Sequence, residues 1–257
     1  MTTVGVYAIA LNEEANVHPW LENVKNADYI LVADTGSTDE TVMEIELSQT
    51  FGSRLANDGS YISCSRPELH DLSIVPWRFD LARNAALALM PKWVDICVAL
   101  DLDETISPHW KEAILDNWQD GVNNVCPWFV NGDGYECWDS RRIHSRNGWR
   151  WHLPVHEQLY PYLIEPQYAY VPDIVVRHPR AIWHPGYLPL CELGLRENPT
   201  DPHALFFLGR EYVNCERYDE AVTLLSRYLA LTGTDGQERK HAKIFHERAM
   251  AAREPVR

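Results

Sequence analysis

No apolar run in this chain approaches the roughly 18 residues that a membrane-spanning helix requires, and the opening MTTVGVYAIALNEEANV has neither the basic flank nor the cleavage site of a signal peptide. Positive charge is scarce: 23 Lys and Arg stand against 37 Asp and Glu, a formal net charge of -14. A broad nucleic-acid footprint would have to be built against that field. The six cysteines (Cys64, Cys97, Cys126, Cys137, Cys191, Cys215) include no CxxC pair, which excludes a zinc ribbon and a thioredoxin-like motif and leaves them as reduced, structural thiols. No glycine-rich basic loop follows the first apolar run, which argues against a nucleotidyltransferase. The expectation is a cytoplasmic chain with no membrane partner.

What is present is ordinary globular material, 46% hydrophobic and 23% charged over 257 residues, enough for one large domain with a small appendage. Tryptophan is abundant, ten in all, with Trp77, Trp128, Trp138, Trp149 and Trp151 in the middle of the chain. Such rings fill a core or line a pocket.

Val4 to Leu11 and Tyr29 to Ala33 are short apolar runs that end in polar loops, Asn12-Glu13-Glu14 and Asp34-Thr35-Gly36-Ser37-Thr38-Asp39. Both read as buried strands. Glu13 to Asn26 and Asp39 to Phe51 have helical spacing, with Thr38 or Asp39 available as N-cap. Phe79 to Met90 is a third helix stopped by Pro91, and Asp95 to Leu100 a further buried strand running into Asp101-Leu102-Asp103-Glu104. Alternating strands and helices imply a parallel sheet, and ligands of open α/β sheets bind outside the carboxyl ends of the strands. Three polar loops, from Asn12, Asp34 and Asp101, converge on that edge.

Residues 122 to 178 read as shorter strands and loops punctuated by glycine and proline. The chain turns helical after about Gly186. From Pro202, Leu205, Leu208, Gly209, Tyr212, Ala221 and Leu225 follow tetratricopeptide spacing as one helical hairpin turning at Asn214 to Arg217, with flanking helices near 188–197 and 237–252. Tyr228 stands where a small residue is usual. The expected division is 1–185 for the α/β domain and 186–257 for a helical tail that caps it, with homodimerisation through the tail as a lesser role.

An Asp-x-Asp pair is weak by itself, but Asp101 and Asp103 end a buried strand, precede Glu104 and share an edge with Asp34 and Asp39. Carboxylates gathered in this way repel unless a cation neutralises them. Mg²⁺ or Mn²⁺ with a nucleoside diphosphate meets that need, and Arg83 supplies further charge for the phosphates. The alternative for Asp34 and Asp39 is loop capping.

Four successive segments, ALNEEANV, ADYILVADTGSTDETV, WRFDLARNAAL and DICVALDLDETISP, resemble in order the signatures of family 2 glycosyltransferases with the GT-A fold. IHSRNGWRWHLPVHEQLY resembles the acceptor-side segment of a bacterial and phage-type branch, and DPHALFFLGREYVNCERYDEAVTLLSRYLAL its tetratricopeptide-like tail. The resemblance implies a GT-A, Rossmann-like α/β fold, a mostly parallel sheet with flanking helices and a small all-α tail. It implies that Leu11, Asn12 and Glu13 contact the base, Asp34 and Asp39 hold the nucleoside, and Asp80 and Arg83 border the diphosphate. Asp103 would bind Mn²⁺ or Mg²⁺, Asp101 would face ribose or metal, and His178, with His184 as competitor, would complete the metal shell.

The implied reaction is metal-dependent inverting transfer of a hexosyl or pentosyl group from a nucleotide-sugar donor, UDP-linked first, to an acceptor hydroxyl. That chemistry needs a base opposite the leaving diphosphate; within PVHEQL the candidates are Glu157 and then His156. Trp149, Trp151 and Arg146 would form the acceptor and sugar pocket. The acceptor is a glycan, a protein or a modified DNA base, the phage branch suggesting a hydroxymethylated pyrimidine. A DNA acceptor would require Arg141, Arg142, Arg146, Arg150, Arg177 and Arg180 to gather on one face. The contrasting expectation is a non-catalytic scaffold of the same fold that binds partners through its tail.

Overall fold

The computed structural model describes residues 1–51, 53–55, 61–63, 66–179, 186–233 and 236–253. His184, Trp183, Arg180 and Cys64 lie outside them. The chain divides into two compact units, each discontinuous in sequence. Met1–Trp77, Leu81–His152 and Gln158–Ala181 form the first; Arg78–Asp80, Leu153–Glu157 and Ile182–Arg257 form the second. Where the sequence suggests one cut at 185, two short earlier segments fold with the helical unit.

The elements of the first unit run in chain order β1 (Val4–Ala10), α1 (Glu14–Val24), β2 (Tyr29–Asp34), α2 (Thr41–Phe51), β3 (Ser53–Leu55), β4 (Tyr61–Ser63), β5 (Pro67–Asp71), α3 (Phe79–Leu89, its first two residues belonging to the second unit), β6 (Ile96–Ala99), β7 (Thr105–Ile106), α4 (Trp110–Asn117), β8 (Asn124–Asn131), β9 (Glu136–Trp138), β10 (Ile143–Ser145), β11 (Trp149–His152), β12 (Gln158–Pro161) and β13 (Tyr168–His178). Nine strands form one sheet in the order β5-β2-β1-β6-β10-β8-β13-β7, with β9 on β8. Neighbours from β5 to β6 are parallel. Beyond them β10 enters antiparallel between β6 and β8, and β8 and β13 are again parallel.

The parallel strands are buried on both faces, which is why β1 reads as a nearly unbroken apolar run. On one face Val6, Ile30 and Val98 pack with Val17, Trp20, Leu21 and Val24, the i, i+3, i+4, i+7 stripe of α1. On the other, Tyr7, Leu31 and Cys97 pack with Ala86, Leu87 and Met90 and with Trp149 and Trp151. Asp39 caps α2, its Oδ1 accepting from Thr41 N at 3.0 Å and from the Thr41 hydroxyl at 2.6 Å.

The second unit holds α5 (Tyr187–Glu197), α6 (Pro202–Asn214), α7 (Tyr218–Ala230) and α8 (Gln237–Arg253). Asp201 caps α6, accepting from Ala204 N at 2.8 Å, and Pro202 opens the helix without needing a donor. Gly209 lets α7 approach: a Cβ there would stand 2.8 Å from Leu225 Cγ. Tyr228, large where a small residue was expected, is buried, its ring 5.6 Å from that of Phe206. No helix among the described residues is long and apolar enough to cross a membrane.

Candidate active site

The carboxyl ends of β1, β2 and β6 lie side by side, Ala10 against Asp34 and Tyr7 against Ala99. Their loops are stitched together. Asn12, at a φ of 57°, donates its N–H to Ser37 Oγ (2.9 Å), and its Oδ1 accepts from Thr38 N (2.7 Å). Glu13 N donates to Thr41 Oγ1 at 2.7 Å, and Glu14 N to Asp39 Oδ2 at 3.2 Å. Asp34, 4% exposed, takes the N–H groups of Gly36 and Ser37 at 2.9 and 3.0 Å. Asp34 and Asp39 thus shape the loop with their carboxylates, the capping alternative read from composition, while Leu11 is exposed beside them.

After β6 the acidic cluster separates into different environments. Arg83, reaching from α3, grips both oxygens of Asp101 at 2.8 Å and lies 5.1 Å over the Trp151 ring. Burial pushes the Asp101 carboxyl up, but Arg83, then Arg142 and His178, override it and hold it well below the carboxylate range. Behind it, Glu104, 1% exposed, accepts from Asp101 N at 3.0 Å and from Arg142 at 2.6 Å. Arg142 also donates to Asp139 at 3.1 Å, and Arg141 binds Asp139 through two N–H groups at 2.8 Å. Burial pushes Glu104 up against the pull of Arg142.

Asp103 is the more open member of the pair, 31% exposed, its Oδ2 3.6 Å from Nε2 of His178 at the end of β13. His178 Nδ1 lies 2.6 Å from the Pro179 carbonyl, which can only accept, so Nδ1 donates there and Nε2 is the ring nitrogen that faces Asp103. Burial and the Asp101 charge push Asp103 up, with His178 opposing. Glu13 is likewise pushed up, by burial and then by Asp103, Asp101 and Asp39. Asp39, Asp101 and Asp103 thus all lie within electrostatic reach of Glu13 at this edge.

A metal fits here only as a minimally held ion. Among the described residues no group of three or more His, Cys, Asp or Glu side chains is placed to hold one. Asp103 and His178 make a two-residue donor set, suited to a hard divalent ion that keeps its other positions for phosphate oxygens and water. Asp101, named as a second ligand from sequence, has both oxygens engaged by Arg83.

Other expected residues are placed differently from the sequence reading. Trp149 and Trp151 are 6% and 3% exposed and belong to the core; Trp151 Nε1 donates to Tyr7 OH at 2.9 Å. They are not pocket walls, because both rings are consumed by packing. Arg146 caps the end of α3, donating to the Met90 carbonyl at 2.7 and 3.0 Å, instead of facing an acceptor. With Arg141 and Arg142 turned onto Asp139, three of the six arginines are engaged by internal partners. Asp80 falls in the second unit and is paired with Arg78 at 2.8 and 3.0 Å.

His156 and Glu157 also belong to the second unit. Glu157 is 8% exposed. Arg210 Nη2 lies 2.7 Å from His156 Nε2, and because a guanidinium only donates, that nitrogen accepts. Burial, reinforced by Arg210 and opposed by Glu211 and Glu157, pushes the imidazole down. Nε2 of His156 is therefore not open for proton transfer. The residues missed from sequence are Asp139, Arg210 and Glu211; Arg142, read there only as part of an acceptor face, instead binds Glu104 and Asp139.

An α/β unit with this sheet order and an acidic edge after β6 is the GT-A fold of nucleotide-sugar glycosyltransferases, and solved structures match it. S. aureus TarS 1-349 in complex with UDP-GlcNAc superposes with a TM-score of 0.56 over 98% of this chain and 90% of that one, at 11% identity. Among curated proteins, the SPbeta prophage-derived glycosyltransferase SunS of Bacillus subtilis (strain 168) and glycosyltransferase SunS of Bacillus phage SPbeta are each 26% identical over 251 residues, covering 88% of this chain and 53% of the relative. The chain spans about half the length of the curated relatives it matches. No protein-family model matches it.

Proposed function

We propose that this chain is a metal-dependent, inverting glycosyltransferase of the family 2 kind, moving a sugar from a nucleoside diphosphate, UDP first, to an acceptor hydroxyl. The observation that carries the reading is the Asp103–His178 pair at the carboxyl edge of the parallel strands, with Nε2 facing the carboxylate and the Arg83-bound Asp101 two residues away. The names of the SunS relatives and the UDP-GlcNAc bound by TarS support it.

Transfer breaks the bond between the anomeric carbon and the diphosphate oxygen and forms one from that carbon to the acceptor oxygen, whose proton passes to a base. In this reading Glu157 takes that proton. Asp103 and His178 would hold Mn²⁺ or Mg²⁺, which when bound offsets charge on the leaving diphosphate. Asp34, Asp39 and Asn12 hold the loop that receives the nucleoside, with Leu11 and Glu13 on its rim. Arg83 holds Asp101 ionised and keeps its own charge beside the diphosphate.

The test is the melting temperature with UDP-, GDP-, CDP- and dTDP-sugars, each with and without Mn²⁺. A ligand at about 100 times its Kd stabilises the folded chain by about 2.7 kcal/mol. A rise with one nucleotide that requires the metal is expected; no rise with any of them would overturn the proposal.

A further inference from the structure

The Leu153–Glu157 segment carries left-handed backbone at two non-glycine residues, Leu153 (φ 77°) and His156 (φ 54°). Such conformations persist only where surroundings over-determine them. Here the surroundings are the helical unit. Pro154 accepts from Phe79 N at 2.9 Å, and Gly194 of α5 lets the proline ring come within 3.2 Å of where a Cβ would stand. Val155 is buried among the helices. The His156 ring stacks on Phe207 of α6 at 4.3 Å and 20° and meets Tyr187 of α5 edge-on at 5.7 Å and 89°.

Arg210, one turn on from Phe207, donates to His156 Nε2 at 2.7 Å while lying 5.0 Å over the Phe207 ring. Glu211, 1% exposed, balances its charge at 2.9 Å. Buried charge is costly in a helix that only packs. Three side chains of α6 are thus committed to one imidazole, the residue before the base candidate.

We propose that the helical unit clamps Leu153–Glu157, so that His156 is a fixed neutral anchor and Arg210 a positioning residue for Glu157. The inference rests on the glycosyltransferase reading, with Glu157 as base. Holding the ring of His156 fixes its backbone, and with it the origin of the Glu157 side chain. With Nε2 accepting from Arg210, His156 does not compete for the acceptor's proton.

The experiment compares the full chain with Arg210→Gln and Arg210→Lys, and with Phe207→Leu as a second variant that keeps the guanidinium. Three readouts are taken: imidazole nitrogen shifts by NMR, amide hydrogen exchange, and release of UDP from UDP-N-acetylglucosamine and water with Mn²⁺. The wild type is expected to hold His156 as the Nδ1–H tautomer. In Arg210→Gln, exchange at 153–157 should speed up about tenfold while α5–α8 do not change, and kcat should fall about 100-fold with the donor KM within about twofold. Arg210→Lys should recover most of the loss. An Nε2–H or protonated wild-type ring overturns the clamp, as does Arg210→Gln with unchanged exchange and kcat, or with exchange raised equally everywhere. A wild type that releases no UDP defeats the glycosyltransferase reading instead, and the clamp is then judged by tautomer and exchange.

Discussion

Replacing Asp101 and Asp103 by asparagine, one at a time, separates a carboxylate that holds the structure from one that holds a ligand. Asp101 receives two charge-assisted bonds at 2.8 Å from Arg83, which is only 7% exposed. In Asp101→Asn that guanidinium keeps its charge and loses the carboxylate that binds both of its Nη groups. Breaking a fully buried pair costs about 3–5 kcal/mol; the Asp101 side chain is 25% exposed, so water relieves part of this and about 2 kcal/mol is expected. For a chain of this size that lowers Tm by about 4–8 °C. Asp103, 31% exposed and 3.6 Å from His178, should change stability by no more than about 0.5 kcal/mol on substitution. Thermal unfolding at pH 7.5 reads both, and repeating it with UDP and Mn²⁺ reads the ligand role. Asp103→Asn should melt within about 2 °C of wild type and lose the metal-requiring rise. Equal destabilisation by the two substitutions, or a full rise in Asp103→Asn, would refute the reasoning.

His144 provides a pH test. It is fully buried, its Nδ1–H donates to the Ser145 carbonyl at 2.9 Å, its Nε2 accepts from Tyr7 OH at 3.0 Å, and burial pushes its pKa down to about 4. The unfolded chain takes up that proton near pH 6.5, so stability is intact above about 6.5 and drains by about 3 kcal/mol as pH falls toward 4. Urea midpoints at pH 7.5, 5.5 and 4.5 should fall in the wild type and less steeply in His144→Gln; parallel slopes would remove His144 as a cause. Gly209→Val forces a Cβ to within 2.8 Å of Leu225 Cγ and should cost at least about 1–3 kcal/mol, seen as a lower denaturation midpoint. Glu157→Gln should keep the donor-induced rise in Tm yet slow UDP release by about 100-fold or more; full turnover would end its candidacy as base.

Local pattern was enough for the elements that depend on it. The apolar runs that become β1, β2 and β6 are continuous because both of their faces are covered, and α1 shows its stripe because only one of its faces is. Asp39 could be read as a cap because a cap bonds to a residue two positions away. Even Gly209, Ala221 and Leu225 announced a helical hairpin, since a close crossing demands a small residue at a set spacing. The aromatic segment misled because tryptophan suits a pocket wall and a core equally: only the fact that Trp151 meets Tyr7 across the fold settles it as core. Arg146 looked available for an acceptor until the end of α3 came within its reach.

The sequence by itself determined that an α/β sheet ends in an acidic edge and that a helical hairpin follows, because periodicity, capping and strand composition act over a few residues. Only the tertiary structure decided what each charged group does. Whether Asp101 is gripped by an arginine, whether Asp103 meets a histidine 75 positions later in the chain, and whether His156 accepts or donates all depend on partners brought together by burial. The free energy of a charge is set by the few ångströms around it, and those are filled from distant parts of the chain.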